Sequence, residues 1–190
     1  MPVALVVIGA SLGALEAMRK MLPMLPTDFS AALIIVLHRD KEESGELMPL
    51  LDADCVLPIG FPLDKERILP GHVYVAPPNY HLLVEGDHFA YSLDAPEDYA
   101  RPSINALFES ASEAYGANVT GIILTGMRQD GARGLAAIYR HGGSALVQSP
   151  HEASAPGMPR AALAAVPDAK TMTLQQIGQW LAGLRSSTPS

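Results

Sequence analysis

The stretch Val3-Ala4-Leu5-Val6-Val7-Ile8-Gly9-Ala10-Ser11-Leu12-Gly13-Ala14 decides the fold. Val3 to Ile8 is a short, unbroken apolar run rich in β-branched residues, and such a run fits a strand covered on both faces. Glycine and a small-residue turn follow it. Leu12 to Leu22 then carries apolar side chains at helical spacing (Leu15, Met18 and Leu22), and Pro23 and Pro26 close that helix. A buried strand, a tight turn and a helix form the opening unit of a parallel sheet.

The same alternation continues along the chain. Ala32 to Leu37 and Val73 to Ala76 read as buried strands, the latter closed by Pro77-Pro78. His81 to Val84 and His88 to Leu93 flank Glu85-Gly86-Asp87, the pattern of a hairpin. Ser103 fits an N-cap, Asn105 to Tyr115 a helix, and Gly116 its C-terminal cap. Val119 to Leu124 is a further strand and Gly131 to His141 a helix ended by Gly142-Gly143. Ser144 to Val147 is the next strand, Met158-Pro159-Arg160 shapes a helix start, and Leu174 to Leu184 forms a closing helix. The acidic stretch from Asp94 to Tyr99 reads as a surface loop. The expected fold is α/β: a doubly wound, mostly parallel sheet with helices on both faces and an antiparallel hairpin addition. One domain is expected over residues 1–185, with a frayed tail at 186–190.

Composition narrows the function. The 190 residues are 48% hydrophobic and 17% charged, with a net charge of -7, a folded globule rather than a disordered chain. Without a basic run, nucleic-acid binding is not expected. Met1-Pro2-Val3 lacks the basic leader of a signal peptide, and no segment approaches the roughly 20 apolar residues of a membrane span. The lone Cys55 lies in an apolar stretch and reads as a buried core thiol in a reducing compartment. A cytoplasmic protein without membrane insertion is expected.

In a doubly wound sheet, functional groups gather beyond the carboxyl ends of the strands. Ser11 lies just past the first strand, His38 closes the second, and Asp130 sits in the loop after the Val119 to Leu124 strand. A serine needs a base to become nucleophilic, and the base needs an acid to fix its tautomer and steady its cation. Each residue also has a plainer reading: Ser11 as a helix cap, His38 as a structural histidine, and Asp130 as the cap of the helix that follows it. Gly9-Ala10-Ser11-Leu12-Gly13 matches Gly-x-Ser-x-Gly. It lacks the glycines of a dinucleotide fingerprint at positions 11 and 14. The N-H of Leu12 is a candidate oxyanion donor. His72, His88, His141 and His151 have no metal-ligand spacing, and His81 reads as structural; no metal site is assigned.

These segments resemble the catalytic domain of the CheB family of chemotaxis protein-glutamate methylesterases. The likeness runs from about Val3 to Ala165. It rests on Ile8-Gly9-Ala10-Ser11 with Gly13, Val36-Leu37-His38, and Gly71-His72-Val73-Tyr74-Val75-Ala76-Pro77-Pro78 with His81. It continues in Arg101-Pro102-Ser103-Ile104, Leu124-Thr125-Gly126-Met127, Asp130-Gly131-Ala132 with Gly134-Leu135, and Met158-Pro159-Arg160-Ala161. The resemblance implies Ser11 as nucleophile, His38 as base and Asp130 as orienting acid, in a chain order unlike that of the α/β-hydrolases.

It also implies hydrolysis of glutamate γ-methyl esters on chemoreceptors through an acyl-enzyme, deamidation of receptor glutamines by the same chemistry, and no cofactor. Chemoreceptors are the implied substrates, and a chemotaxis methyltransferase is a candidate partner. Met127, Arg101 and Arg128 are candidate substrate contacts. Three positions depart from the family pattern: Ala14 and Arg128 replace glycines, and Asn105 replaces an aspartate. No receiver-type segment precedes Val3, so gating by phosphorylation in cis is not expected. Two alternatives stay open: a serine hydrolase of another ester on this scaffold, and a non-catalytic receptor-binding module.

Overall fold

The computed structural model describes residues 4–38 and 47–185. Its elements in chain order are β1 (Leu5–Ala10), α1 (Ala14–Met21), β2 (Ala32–Leu37), α2 (Leu47–Ala53), β3 (Ile59–Gly60), β4 (Val73–Val75), β5 (His81–Glu85) and β6 (His88–Ser92). They continue with α3 (Ile104–Tyr115), β7 (Val119–Ile123), α4 (Ala132–Arg140), β8 (Ser144–Gln148), α5 (Gly157–Ala165), β9 (Lys170–Met172) and α6 (Leu174–Ala182). The expected tail at 186–190, and Val3, lie outside the described residues.

Seven strands form one sheet in the order β3-β4-β2-β1-β7-β8-β9, and every pairing in it is parallel. The chain builds outward from β1 to one side, then returns to lay β7 on the other. The gap above β1 and β7 is therefore the topological switch point, where such folds hold their sites. The β5–β6 hairpin is antiparallel and forms a separate two-stranded sheet instead of extending the large one.

Strand periodicity explains the layers. Leu5 and Val7 of β1, with Ala32, Ile34 and Val36 of β2, point into a core shared with α3, α4, α5 and the hairpin. Val6, Ile8 and Ala10, with Leu33, Ile35 and Leu37, point into the opposite core under α1, α2 and α6. Both faces are thus apolar, and the run reads as continuous.

Two boundaries beside the first turn, and the burial of Cys55, differ from the sequence reading for physical reasons. β1 runs through Gly9 to Ala10, because Gly9 is a point of close approach and not a breaker: a Cβ there would overlap the Ile104 side chain of α3. The first helix begins at Ala14, not Leu12, because Ser11 to Ala14 is a β-turn closed by Ala14 N-H donating to Ser11 O at 2.9 Å. Its third residue, Gly13, has φ 84° and ψ 4°, the left-handed position of a type II turn that favours glycine. Cys55 is only partly buried, packed against the α1/α2/α6 core; desolvation still pushes its thiol pKa up. In sequence the short elements α2, β3 and β9 do not separate from loops, and of α5 only the start at Met158-Pro159-Arg160 shows. Pro49 and Pro159 fall within α2 and α5, and β3 has two residues. Among the described residues no helix is long and apolar enough to cross a membrane.

Candidate active site

Ser11 and His38 are brought together by strand register. β1 and β2 pair in parallel with Ala10 opposite Leu37, so the next residues, Ser11 and His38, leave the sheet side by side. His38 N-H donates to Ala10 O at 2.9 Å, and Ser11 N-H donates to Thr125 O at 2.9 Å, which extends the pairing one step past the strands.

Thr125 fixes the serine turn. Its hydroxyl donates to Leu12 O at 2.8 Å and accepts from Ala155 N-H at 2.9 Å. Its own N-H donates to the buried Gln148 Oε1 at 2.8 Å. Gly126 follows, and a Cβ there would strike Met158 and lie 3.0 Å from the Ser11 Cβ; glycine leaves room around the serine. With the N-H groups of Ser11 and Ala14 engaged, those of Leu12 and Gly13 have no main-chain partner among the described residues. They are the free donors of the turn, and Leu12 itself is exposed.

Asp130 is 1% exposed and its Oδ2 lies 2.7 Å from His38 Nε2. The N-H is not aimed along that line, and Nε2 has no aligned hydrogen bond. The carboxylate is otherwise fully gripped. Oδ2 accepts from Ile104 N-H at 2.7 Å. Oδ1 accepts from Asn105 N-H at 2.9 Å and from the Ser103 hydroxyl at 3.3 Å. Asp130 therefore sits on the N-terminus of α3, where free N-H groups and the helix dipole compensate a buried negative charge. The plainer reading of Asp130 had it capping the following helix; in the structure Gly131 holds that position.

Asn105 completes the exchange. Its Oδ1 accepts from Gly131 N-H at 3.0 Å and Gly134 N-H at 2.9 Å, the start of α4, and its Nδ2 donates to Asp98 at 3.2 Å. Each helix is capped by a side chain from the segment that begins the other. His81 is buried behind this arrangement: Ser103 N-H donates to its Nδ1 at 3.1 Å, and its Nε2 is 3.0 Å from Ala95 O. That pattern is met by a neutral ring protonated on Nε2, a structural role.

The other candidates fall outside this centre. Arg101 is engaged by the carbonyls of Leu93 and Asp94, each at 3.1 Å, and braces a loop. Met127 is 69% exposed, a rim residue and not core. Arg128 lies with its guanidinium carbon 5.4 Å from the centroid of the Tyr99 ring. Sequence reasoning missed Thr125, Gln148, Ser103 and Asn105 as parts of the site. Ser103 had been seen only as a helix cap, and the Thr-Gly-Met match pointed to Thr125 without assigning it a task.

A serine, a histidine and a buried aspartate at the switch point of a doubly wound parallel sheet are the side-chain types that a serine hydrolase employs. Comparison with known proteins narrows the class. The chain belongs to the CheB methylesterase family, whose sequence model matches residues 6–181. A Leptospira interrogans protein provisionally named a protein-glutamate methylesterase/protein-glutamine glutaminase is 43% identical over 175 residues, covering 92% of this chain and 91% of its own length. A Bordetella parapertussis protein-glutamate methylesterase/protein-glutamine glutaminase is 40% identical over 180 residues, and there this chain spans 51% of the relative. The crystal structure of the Thermotoga maritima CheB methylesterase catalytic domain superposes with a TM-score of 0.90 at 26% identity, over 97% of this chain and all of that one.

Proposed function

We propose that this chain is a protein-glutamate methylesterase that hydrolyses glutamate γ-methyl esters on cytoplasmic parts of chemoreceptors, carried by one catalytic domain over residues 1–185. Ser11 is the nucleophile, His38 the general base and Asp130 the residue that orients His38. The observation that carries this reading is the 2.7 Å approach of His38 Nε2 to the buried Asp130. That approach supports an assignment in which Nε2 faces the acid and Nδ1 serves the serine that leaves the adjacent strand.

The reaction follows from that assignment. Ser11 Oγ attacks the ester carbonyl while His38 Nδ1 takes the hydroxyl proton. The Leu12 and Gly13 N-H groups face the negative charge that develops on the carbonyl oxygen. His38 returns the proton to the departing methoxide, so methanol leaves and an acyl-serine remains. Water then gives a proton to His38 and its oxygen to the acyl carbon, and Ser11 is regenerated with a free glutamate. A glutamine side chain passes through the same acyl-serine with ammonia leaving, which accounts for a deamidase activity on this machinery. The chemistry asks for no metal or cofactor. A methyltransferase acting on the same glutamates is the candidate partner.

A serine-directed fluorophosphonate tests the reading. It is expected to label Ser11 in native protein, weakly in His38→Ala and not in Ser11→Ala, and methanol is expected from methylated receptor membranes. Folded protein that takes no label and releases no methanol would show a binding module instead. Label without methanol would show a hydrolase of a different ester.

A further inference from the structure

The loop ahead of α3 carries an unusual turn beside the site. Glu97 and Ala100 exchange N-H to carbonyl bonds at 3.0 and 2.7 Å, and the two residues between them, Asp98 and Tyr99, have φ of 47° and 66°. Neither is glycine, so the turn holds two side-chain-bearing residues in the left-handed region, at a cost of roughly 1 kcal/mol or more each. It is held there: Arg133 bonds Glu97 at 2.7 Å and Glu109 of α3 at 2.6 Å, and Asp98 is bonded by Asn105.

The consequence is that Tyr99 stands 91% exposed with Arg128 over its ring. These two, with Asp98, Met127, Gln129 and Gly157, are among the residues lining a groove of about 570 Å³, and the Asp98 carboxylate there is already bonded by Asn105 Nδ2. Met127 to Gln129 is the segment joining Gly126, packed against Ser11, to Asp130. Among the described residues Arg128 has no carboxylate partner, while Arg133, Arg67 and Arg19 each have one. A guanidinium steadied on an aromatic face keeps its outer N-H groups for a carboxylate.

Resting on the methylesterase reading, we propose that this groove is a specificity subsite for an acidic residue flanking the target glutamate. In this arrangement Arg128 pairs with that residue's carboxylate, and Tyr99 and Met127 pack on its aliphatic stem and backbone. The partner is an acidic peptide segment, set by charge: on a chain of net charge -7 an acidic substrate meets general repulsion, so Arg128, the cation that lines the groove, favours the segment that can pair with it. Glycine at position 128, the family's usual residue, could not do this.

The test uses two helical peptides, each with one glutamate γ-methyl ester, flanked one turn away by Glu in one and Gln in the other. The native enzyme is expected to favour the Glu peptide by about fivefold in kcat/KM, chiefly through KM, the effect of roughly 1 kcal/mol of exposed ion pairing. The preference is expected to shrink in about 1 M salt, where screening reaches ~3 Å. Arg128→Gln should bring the ratio near one, and Arg128→Glu should invert it. Each ratio compares two substrates on one protein, so a general loss of activity does not disturb it. Equal rates on both peptides, or an unchanged ratio in Arg128→Gln, overturn the subsite alone. Release of methanol from neither peptide, by protein that a fluorophosphonate does not label, overturns the methylesterase reading and the subsite with it.

Discussion

Asp130 shows how much one side chain is asked to do. Its two oxygens serve the α3 N-terminus, the Ser103 hydroxyl and His38 together. An amide has one accepting oxygen, so Asp130→Asn must turn its NH2 toward a helix N-H in either orientation, that of Asn105 in place of Oδ1 or that of Ile104 in place of Oδ2. Each leaves a buried donor unsatisfied, at about 1–3 kcal/mol. The second orientation also donates to Nε2 and forces the proton onto Nδ1, the tautomer that cannot accept from Ser11. Asp130→Asn is expected to lose both stability on that scale and ester hydrolysis by roughly 10³- to 10⁴-fold. Ser11→Ala is expected to lose hydrolysis while its unfolding free energy stays within about 0.5 kcal/mol. Denaturant titrations beside rate measurements separate the two. An Asp130→Asn protein as stable as the native one would mean that the α3 contacts do not bear on folding.

At the scale of elements, α3 and α4 are capped by exchange. Asp130, from the loop before α4, caps α3, and Asn105, in the first turn of α3, caps α4. The Ser103 cap and the Gly116 stop were legible in the sequence because capping signals are local. The exchange was not, because Asn105 and Gly131 stand 26 positions apart and only the folded pair of helices brings them into range. The arrangement also suits asparagine at position 105. Asn105 accepts at Oδ1 and donates at Nδ2 to Asp98; a carboxylate there would face Asp98 with no proton to offer. Asn105→Asp is expected to destabilise the protein by about 1–2 kcal/mol, and Asp98→Asn to recover most of that loss. A coupling energy near zero in the double-mutant cycle would dissolve the pairing.

The whole molecule is organised around its central strands. The presence of β1, β2 and β7 could be read from their largely apolar runs, and the three candidate residues follow those runs; that the three strands are neighbours could not. Nor could the edges. β3 and β9 have two and three residues, too short to show a period, and short edges are one way a sheet avoids pairing with another chain. The hairpin was legible from Gly86, but its place was not: β5 and β6 form their own two-stranded sheet, bridged at His88 to Arg67, and are held through Leu82, Val84 and Phe89 against the α3 side. Two strands alone are marginal in water, so the hairpin depends on one packed face, whereas β1 has a strand on each side and a core on each face. Amides of β1, β2 and β7 are expected to exchange with solvent only through global unfolding, and those of β5 and β6 through a smaller opening that is at least about 1.4 kcal/mol cheaper, or tenfold faster. Hydrogen exchange followed by mass spectrometry reads this directly. Hairpin amides as slow as those of Val6 to Ile8 would mean that α3, the hairpin and the sheet open as one unit. In that case the turn bearing Tyr99, which links the hairpin to α3, would share the full stability of the core.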